Sequence, residues 1–125
     1  EIIGAVAAAK IWMNMNHEDR LAKAEKTCSV IASHIKGIEG VDVEIQENTI
    51  GHDPHGVRIS LTKEGASLID VQEALKNGNP RIWMRCDQDL DGNYDGNLAR
   101  ISPFGLYPGE DEIVGSRLAE ELKKL

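Results

Sequence analysis

The sequence predicts an α+β fold, a two-layer sandwich with the element order α-β-β-α-β-β-α, and three observations lead there. Apolar residues recur at helical spacing near the start of the chain and again at its end. Between them, two runs alternate apolar and polar residues with the period of a strand. Turns containing glycine and proline separate these runs. Paired strands with helices before, between and after them assemble a small antiparallel or mixed sheet that carries its helices on one face.

A long N-terminal helix is expected over about residues 1–36. Leu21, Ala24, Cys28, Ile31 and Ile35 follow one another at steps of three and four, which lays them along one stripe. His17, Glu18, Asp19, Arg20, Lys23 and Lys26 fall elsewhere on the helix surface. The opening, EIIGAVAAAKIWM, has almost no polar face beyond Lys10. A helix that is apolar all round seeks burial all round, and a 125-residue domain has little interior to give it. Its expected partner is protein beyond this chain.

Gly37 or Gly40 closes the helix, since glycine adopts the left-handed conformation that ends one. Two strands follow. Val41, Val43 and Ile45 alternate with Asp42, Glu44 and Gln46, and Val57, Ile59 and Leu61 alternate with Arg58, Ser60 and Thr62. Gly51, Asp53, Pro54 and Gly56 supply the turn between them. Ser67 caps a short helix over Leu68, Val71, Ala74 and Leu75, which stops at Gly78. Pro80 bars its continuation, and Ile82, Trp83 and Met84 read as the third strand. A polar, glycine-rich loop leads to a broken fourth strand over Leu98, Ile101, Phe104 and Leu106, interrupted by Pro103. Pro108 and Gly109 turn the chain into a last helix with an inner stripe of Ile113, Leu118 and Leu122, joined by Val114 and Leu125. Glu110, Asp111 and Glu112 crowd its N-terminus and Lys123 and Lys124 its C-terminus, the arrangement the helix dipole favours.

A single domain over residues 1–125 is expected, because 41% hydrophobic and 28% charged residues at this length suit one core. The formal net charge of -7 speaks against a nucleic-acid surface, which needs clustered Lys and Arg. No apolar run reaches the roughly 20 residues that cross a bilayer, and the first residues lack the basic start of a signal peptide. A cytoplasmic protein away from membranes is the expectation. Cys28 and Cys86 stand far apart, outside any CxxC pair or ligand cluster, and are expected as reduced thiols.

GNPRIWMR followed by LYPGEDEIVGSRLAEELKKL gives the order turn, buried strand, capped amphipathic helix. Together with the opening EIIGAVAAAKIWM, it resembles the C-terminal small domain of the selenocysteine-synthase-like branch of fold-type-I pyridoxal-phosphate enzymes. That branch, related to L-seryl-tRNA selenium transferase, includes glucosaminate-phosphate ammonia-lyases. The resemblance runs along nearly the whole chain. It implies the C-terminal lobe of a lyase or transferase acting on an amino acid or amino-sugar acid, inactive alone. It also implies a large domain upstream that binds pyridoxal phosphate, with no cofactor on this chain by itself, and a homo-oligomer such as a dimer.

No catalytic residue is expected within the chain. The lysine that forms an imine with pyridoxal phosphate must be desolvated or lie near positive charge. Lys63 precedes Glu64 and Gly65 at a strand end, and Lys10 has no cofactor-binding residues nearby in sequence. His17, His34, His52 and His55 form neither HxxxH nor HExxH spacing, which leaves zinc hydrolysis unsupported. His52 and His55 bracket Asp53 in a turn. For substrate binding, the resemblance implies an arginine of the small domain reaching a carboxylate. Arg58 is the candidate, with His55 beside it, because the guanidinium fork matches a planar anion; Arg81 and Arg85 are alternates. Arg58 reads also as a solvent-facing residue opposite Val57, Ile59 and Leu61.

A competing motif is DQDLDGNYDGNL, residues 87–98. Asp87, Asp89, Asp91, Gly92 and Asp95 reproduce most of a calcium loop, since a hard cation needs several oxygens around a tight glycine turn. Leu98 holds the place of the bidentate glutamate, however, and the flanks PRIWMR and LARISPF read as strands. A hairpin loop rich in turn-forming residues therefore competes with weak calcium binding. The second reading of the whole chain is an autonomous α+β binding or regulatory module, with calcium held by Asp87, Asp89, Asp91 and Asp95.

Overall fold

The computed structural model describes residues 1–47, 55–88 and 91–125. Its elements are α1 (Ile2–Asn14), α2 (His17–Ile35), β1 (Val41–Glu47), β2 (His55–Leu61), α3 (Leu68–Lys76), β3 (Arg85–Gln88), β4 (Tyr94–Ile101) and α4 (Glu110–Leu122). The fold is α+β, as the periodicities require. The four strands lie in the order β1-β2-β4-β3, and every neighbouring pair is antiparallel. α2 lies along β1 and β2, α3 lies along β3 and β4, and α4 packs against both of these helices.

One core joins the layers. Ile31 and Ile35 of α2, Leu68 and Leu75 of α3, Leu118 of α4 and Ile59 of β2 are all fully buried. Burying side chains of this size contributes roughly 1.5 to 3 kcal/mol each, so the inward face of every strand is firmly fixed. Because a one-residue slip would turn that face outward, the register is fixed with it. The opposite sheet face carries Asp42, Glu44, Arg58, Ser60, Arg85 and Arg100, none of which is buried.

Four expectations are corrected. The helix expected over about residues 1–36 is two helices, because the chain breaks at Met15, which is extended (φ -74, ψ 139). Asn16 starts the second one: its side-chain oxygen accepts the Asp19 backbone N–H at 3.1 Å, a cap that stabilises a new helix start. The third strand is at Arg85–Gln88 and excludes Ile82, Trp83 and Met84. The Ile82 backbone N–H donates instead to the Leu75 carbonyl at 3.0 Å, which holds this segment against the end of α3, and Trp83 is 76% exposed. The fourth strand starts at Tyr94, inside the expected loop, and ends before Pro103, Phe104 and Leu106, since backbone pairing accepts polar residues as readily as apolar ones. In α4, Ile113 is exposed, and Gly115 and Ala119 share the inner face with Val114, Leu118 and Leu122.

The apolar opening helix stands apart from the core. No residue of α1 is buried, and Ile3 is 86% exposed. Trp12 ties its end to the rest of the fold: the Arg20 guanidinium lies 5.0 Å from the Trp12 ring centroid and 5.1 Å from that of Phe104. Such cation–π stacking contributes on the order of 0.5–1 kcal/mol where exposed. Among the described residues, no helix is long and apolar enough to cross a membrane.

Candidate functional site

Strand alternation decides which side chains reach the open sheet face. Val57 and Ile59 point into the core, so Arg58 between them points out; Ala99 is buried, so Arg100 beside it points out; Cys86 is buried, so Arg85 and Asp87 point out. The register then aligns them. Glu44 is opposite Arg58, Arg58 is opposite Arg100, and Arg100 is opposite Arg85. Three arginines from three adjacent strands therefore form one row, with a glutamate at its β1 end.

Their partners are few. Arg100 Nε lies 3.0 Å from Asp87 Oδ2, and Arg58 Nη1 lies 3.8 Å from Glu44 Oε2. Arg85 Nη2 donates to the neutral Gln88 Oε1 at 2.9 Å. Arg58 Nε is buried without a hydrogen-bond partner. A hollow of about 300 Å³ opens beside the row, lined by Arg85, Cys86, Asp87, Gln88 and Arg100. Guanidinium forks in such a setting can hold planar or tetrahedral oxyanions through paired hydrogen bonds.

Arg58 is thus where its strand places it, on the face opposite the core, and the structure brings it together with Arg85. Arg81 is exposed and lies outside the row. Arg100, absent from the sequence-based candidates, occupies the row's centre. The tripeptide Arg-Ile-Ser occurs at Arg58 and again at Arg100, a repeated alternation that marks two outward arginines. The backbone of His55 pairs with Glu47, while its side chain, with His52 and Asp53, lies outside the described residues.

The described parts of the acidic segment belong to two antiparallel strands and the turn at Gly92. β3 and β4 flank it, Gly92 takes the positive φ of its turn, and Gln88 Nε2 donates to the Gly92 carbonyl at 3.2 Å. Asp87 is engaged by Arg100, and Asp95 Oδ1 accepts the Asn97 backbone N–H at 2.8 Å. Asp91 is also engaged, and Asp89 lies outside the described residues. Among the described residues, no three His, Cys, Asp or Glu side chains gather as a metal site.

Neither cysteine is poised for chemistry. Burial pushes the Cys28 thiol up to about 11, with Glu25 adding to it, and burial raises Cys86 too, followed by Asp87 and Asp95. Both keep their protons at neutral pH and are poor nucleophiles. His17 meets Trp12 in a tilted contact with ring centroids 4.5 Å apart, and His34 Nε2 meets Glu112 Oε2 at 2.7 Å.

Two larger clefts flank the sheet. One of about 780 Å³ is polar, lined by His34, Lys36, Gly40, Lys63 and Leu125 among others. The other, about 530 Å³, is mostly apolar and lies between Leu75, Ile82, Met84, Phe104 and Leu118, with Trp83 among its lining residues.

No protein-family profile and no curated protein matches the chain. A solved structure does. The chain is similar in fold to D-glucosaminate-6-phosphate ammonia-lyase, with a TM-score of 0.58 and 21% sequence identity over 75% of this chain. It spans 25% of that lyase's length. At this identity the likeness is one of fold.

The two lysines weighed as imine-forming candidates both lie at the surface. Lys10 is exposed on α1, and the exposed Lys63 donates its amine to the Leu125 carbonyl. A lysine that attacks a carbonyl at neutral pH is commonly activated by desolvation, and neither of these exposed amines is desolvated.

Proposed function

We propose that this chain is the C-terminal lobe of a pyridoxal-phosphate-dependent lyase or transferase of the selenocysteine-synthase-like branch, acting on an amino acid or amino-sugar acid. The observation that carries the reading is the fold likeness to an ammonia-lyase of which the chain spans 25%. The exposed, apolar α1 supports it, because a lobe needs a surface to seat against a larger domain. In this reading the large domain binds the cofactor and supplies its lysine, and the assembly is a homo-oligomer. The cofactor serves as an electron sink there. The lobe's part is to meet substrate, with Arg58 and His55 on its substrate side, Arg58 gripping a carboxylate through its fork.

The gene is the first test. Its upstream reading frame is expected to encode a large α/β domain of about 250 residues, the rest of a typical enzyme of this size. The second test is spectroscopic: pyridoxal phosphate added to the 125-residue chain should give no saturable one-to-one imine, only the unsaturable labelling that borohydride traps at any exposed amine. A saturable imine lost on changing Lys10 or Lys63 to Met would overturn the assignment of catalysis to another domain.

A further inference from the structure

We propose that the row Arg58–Arg100–Arg85 is a binding site for a phosphate-type dianion, such as a phosphate monoester. Like charges placed directly opposite each other on neighbouring strands destabilise a sheet. The register imposes two such pairs in succession, Arg58 with Arg100 and Arg100 with Arg85. A solvent-open face has no packing need for arginine, so the repulsion calls for compensation.

The chain supplies only part of it. Glu44 stands 3.8 Å from Arg58, at the limit of an ion pair; Asp87 engages only Nε of Arg100; and Gln88 brings Arg85 no charge. Within the row, three positive groups thus meet two carboxylates directly, while Asp42 on the same face stands opposite Ser60. The buried Arg58 Nε has no acceptor, and a separate hollow opens between Arg85 and Arg100, where an anion has room to sit.

The class of ligand follows from the count of donors. Adjacent strands are about 4.8 Å apart, so three forks span about 10 Å and present more N–H groups than the two oxygens of one carboxylate accept. A phosphate monoester brings three strong acceptors and a charge of about -1.5 to -2. It fits over Arg100, with Arg58 and Arg85 reaching from the flanking strands. The proposal deepens the single-arginine grip described above and rests on that reading only in turning this face toward ligand.

Titration of the 125-residue chain at low ionic strength, followed calorimetrically and by amide chemical shifts, tests it with inorganic phosphate and with acetate. Saturable phosphate binding, tighter than acetate, is expected, with shifts centred on Arg58, Arg85 and Arg100. Arg100→Gln should weaken it about tenfold or more, in line with the strength of charge-assisted, bidentate contacts. Arg85→Gln, which breaks only a neutral contact and so should keep the fold, should weaken it as well. Arg81→Gln removes the same charge outside the row and should bind as the unmodified chain does. Equal binding of phosphate and acetate, equal losses in Arg81→Gln and Arg85→Gln, or no saturation by millimolar phosphate would each overturn the site. The gene and the imine test the lobe, phosphate binding tests the row, and either can fail alone.

Discussion

Glu121 is the only buried charged residue among those described, and the end of α4 is organised around it. Lys124 Nζ approaches it at 2.6 Å and Arg117 Nη2 at 3.2 Å, while Arg117 also binds Glu120. The Lys124 hydrogen bond lowers the Glu121 pKa, aided by the charges of Lys124 and Arg117, and burial opposes the shift without reversing it. A carboxyl that ionises more readily in the folded chain than in the unfolded one contributes stability above the ordinary glutamate range. That contribution is lost as pH falls through the lowered folded value. Glu121→Gln should therefore cost about 1 kcal/mol at neutral pH, a modest loss because Lys124 is largely exposed to screening solvent. It should also flatten the acid limb of stability in thermal melts from about pH 7 to about pH 3. Melts of the variant that parallel those of the unmodified chain throughout would remove Glu121 from the account.

Among the described glycines, Gly115 marks the tightest approach, where α4 packs on α2. A Cβ built on Gly115 would stand 2.6 Å from His34 Cδ2 and 3.2 Å from His34 Cβ, so rotating the ring does not clear the clash. Gly115→Ala would gain about 0.5–1 kcal/mol in helix propensity, but prying the helices apart costs typically 1–3 kcal/mol, so a net fall in Tm is expected. A rise in Tm would show that the two helices yield freely. The same packing explains what the sequence reveals. α2, β1, β2, α3 and α4 were legible because their apolar period largely follows their burial, from Leu68, Val71 and Leu75 to Val114, Leu118 and Leu122, with Ile45 of β1 and Ile113 of α4 exposed against it. Ile82, Trp83 and Met84 misled because their apolar surface lines a cleft and meets solvent instead of a neighbouring strand. The position of Arg58 was legible from alternation alone. Its alignment with Arg100 and Arg85 was not, since register between residues that lie 42 and 15 positions apart is a tertiary property that no local period records.

At the scale of the whole molecule, α1 is the element the fold leaves unaccounted for. It has 13 residues, a length at which an isolated helix is marginal in water, and none of them is buried. Ile2, Ile3, Val6, Ile11 and Met13 are all exposed, and each such side chain contributes roughly 1.5 to 3 kcal/mol on full burial. The stack of Trp12, Arg20 and Phe104 anchors one end only. With so much apolar surface in water, association is strongly favoured, so the 125-residue chain should self-associate through α1 when no larger domain covers it. Ile3→Glu combined with Val6→Glu should convert it to a monomer in sedimentation velocity. The sheet signal in circular dichroism should be retained, because neither position touches the buried core. A clean monomer from the unmodified chain would mean that α1 folds back onto its own domain, and the case for a partner surface would fall with it.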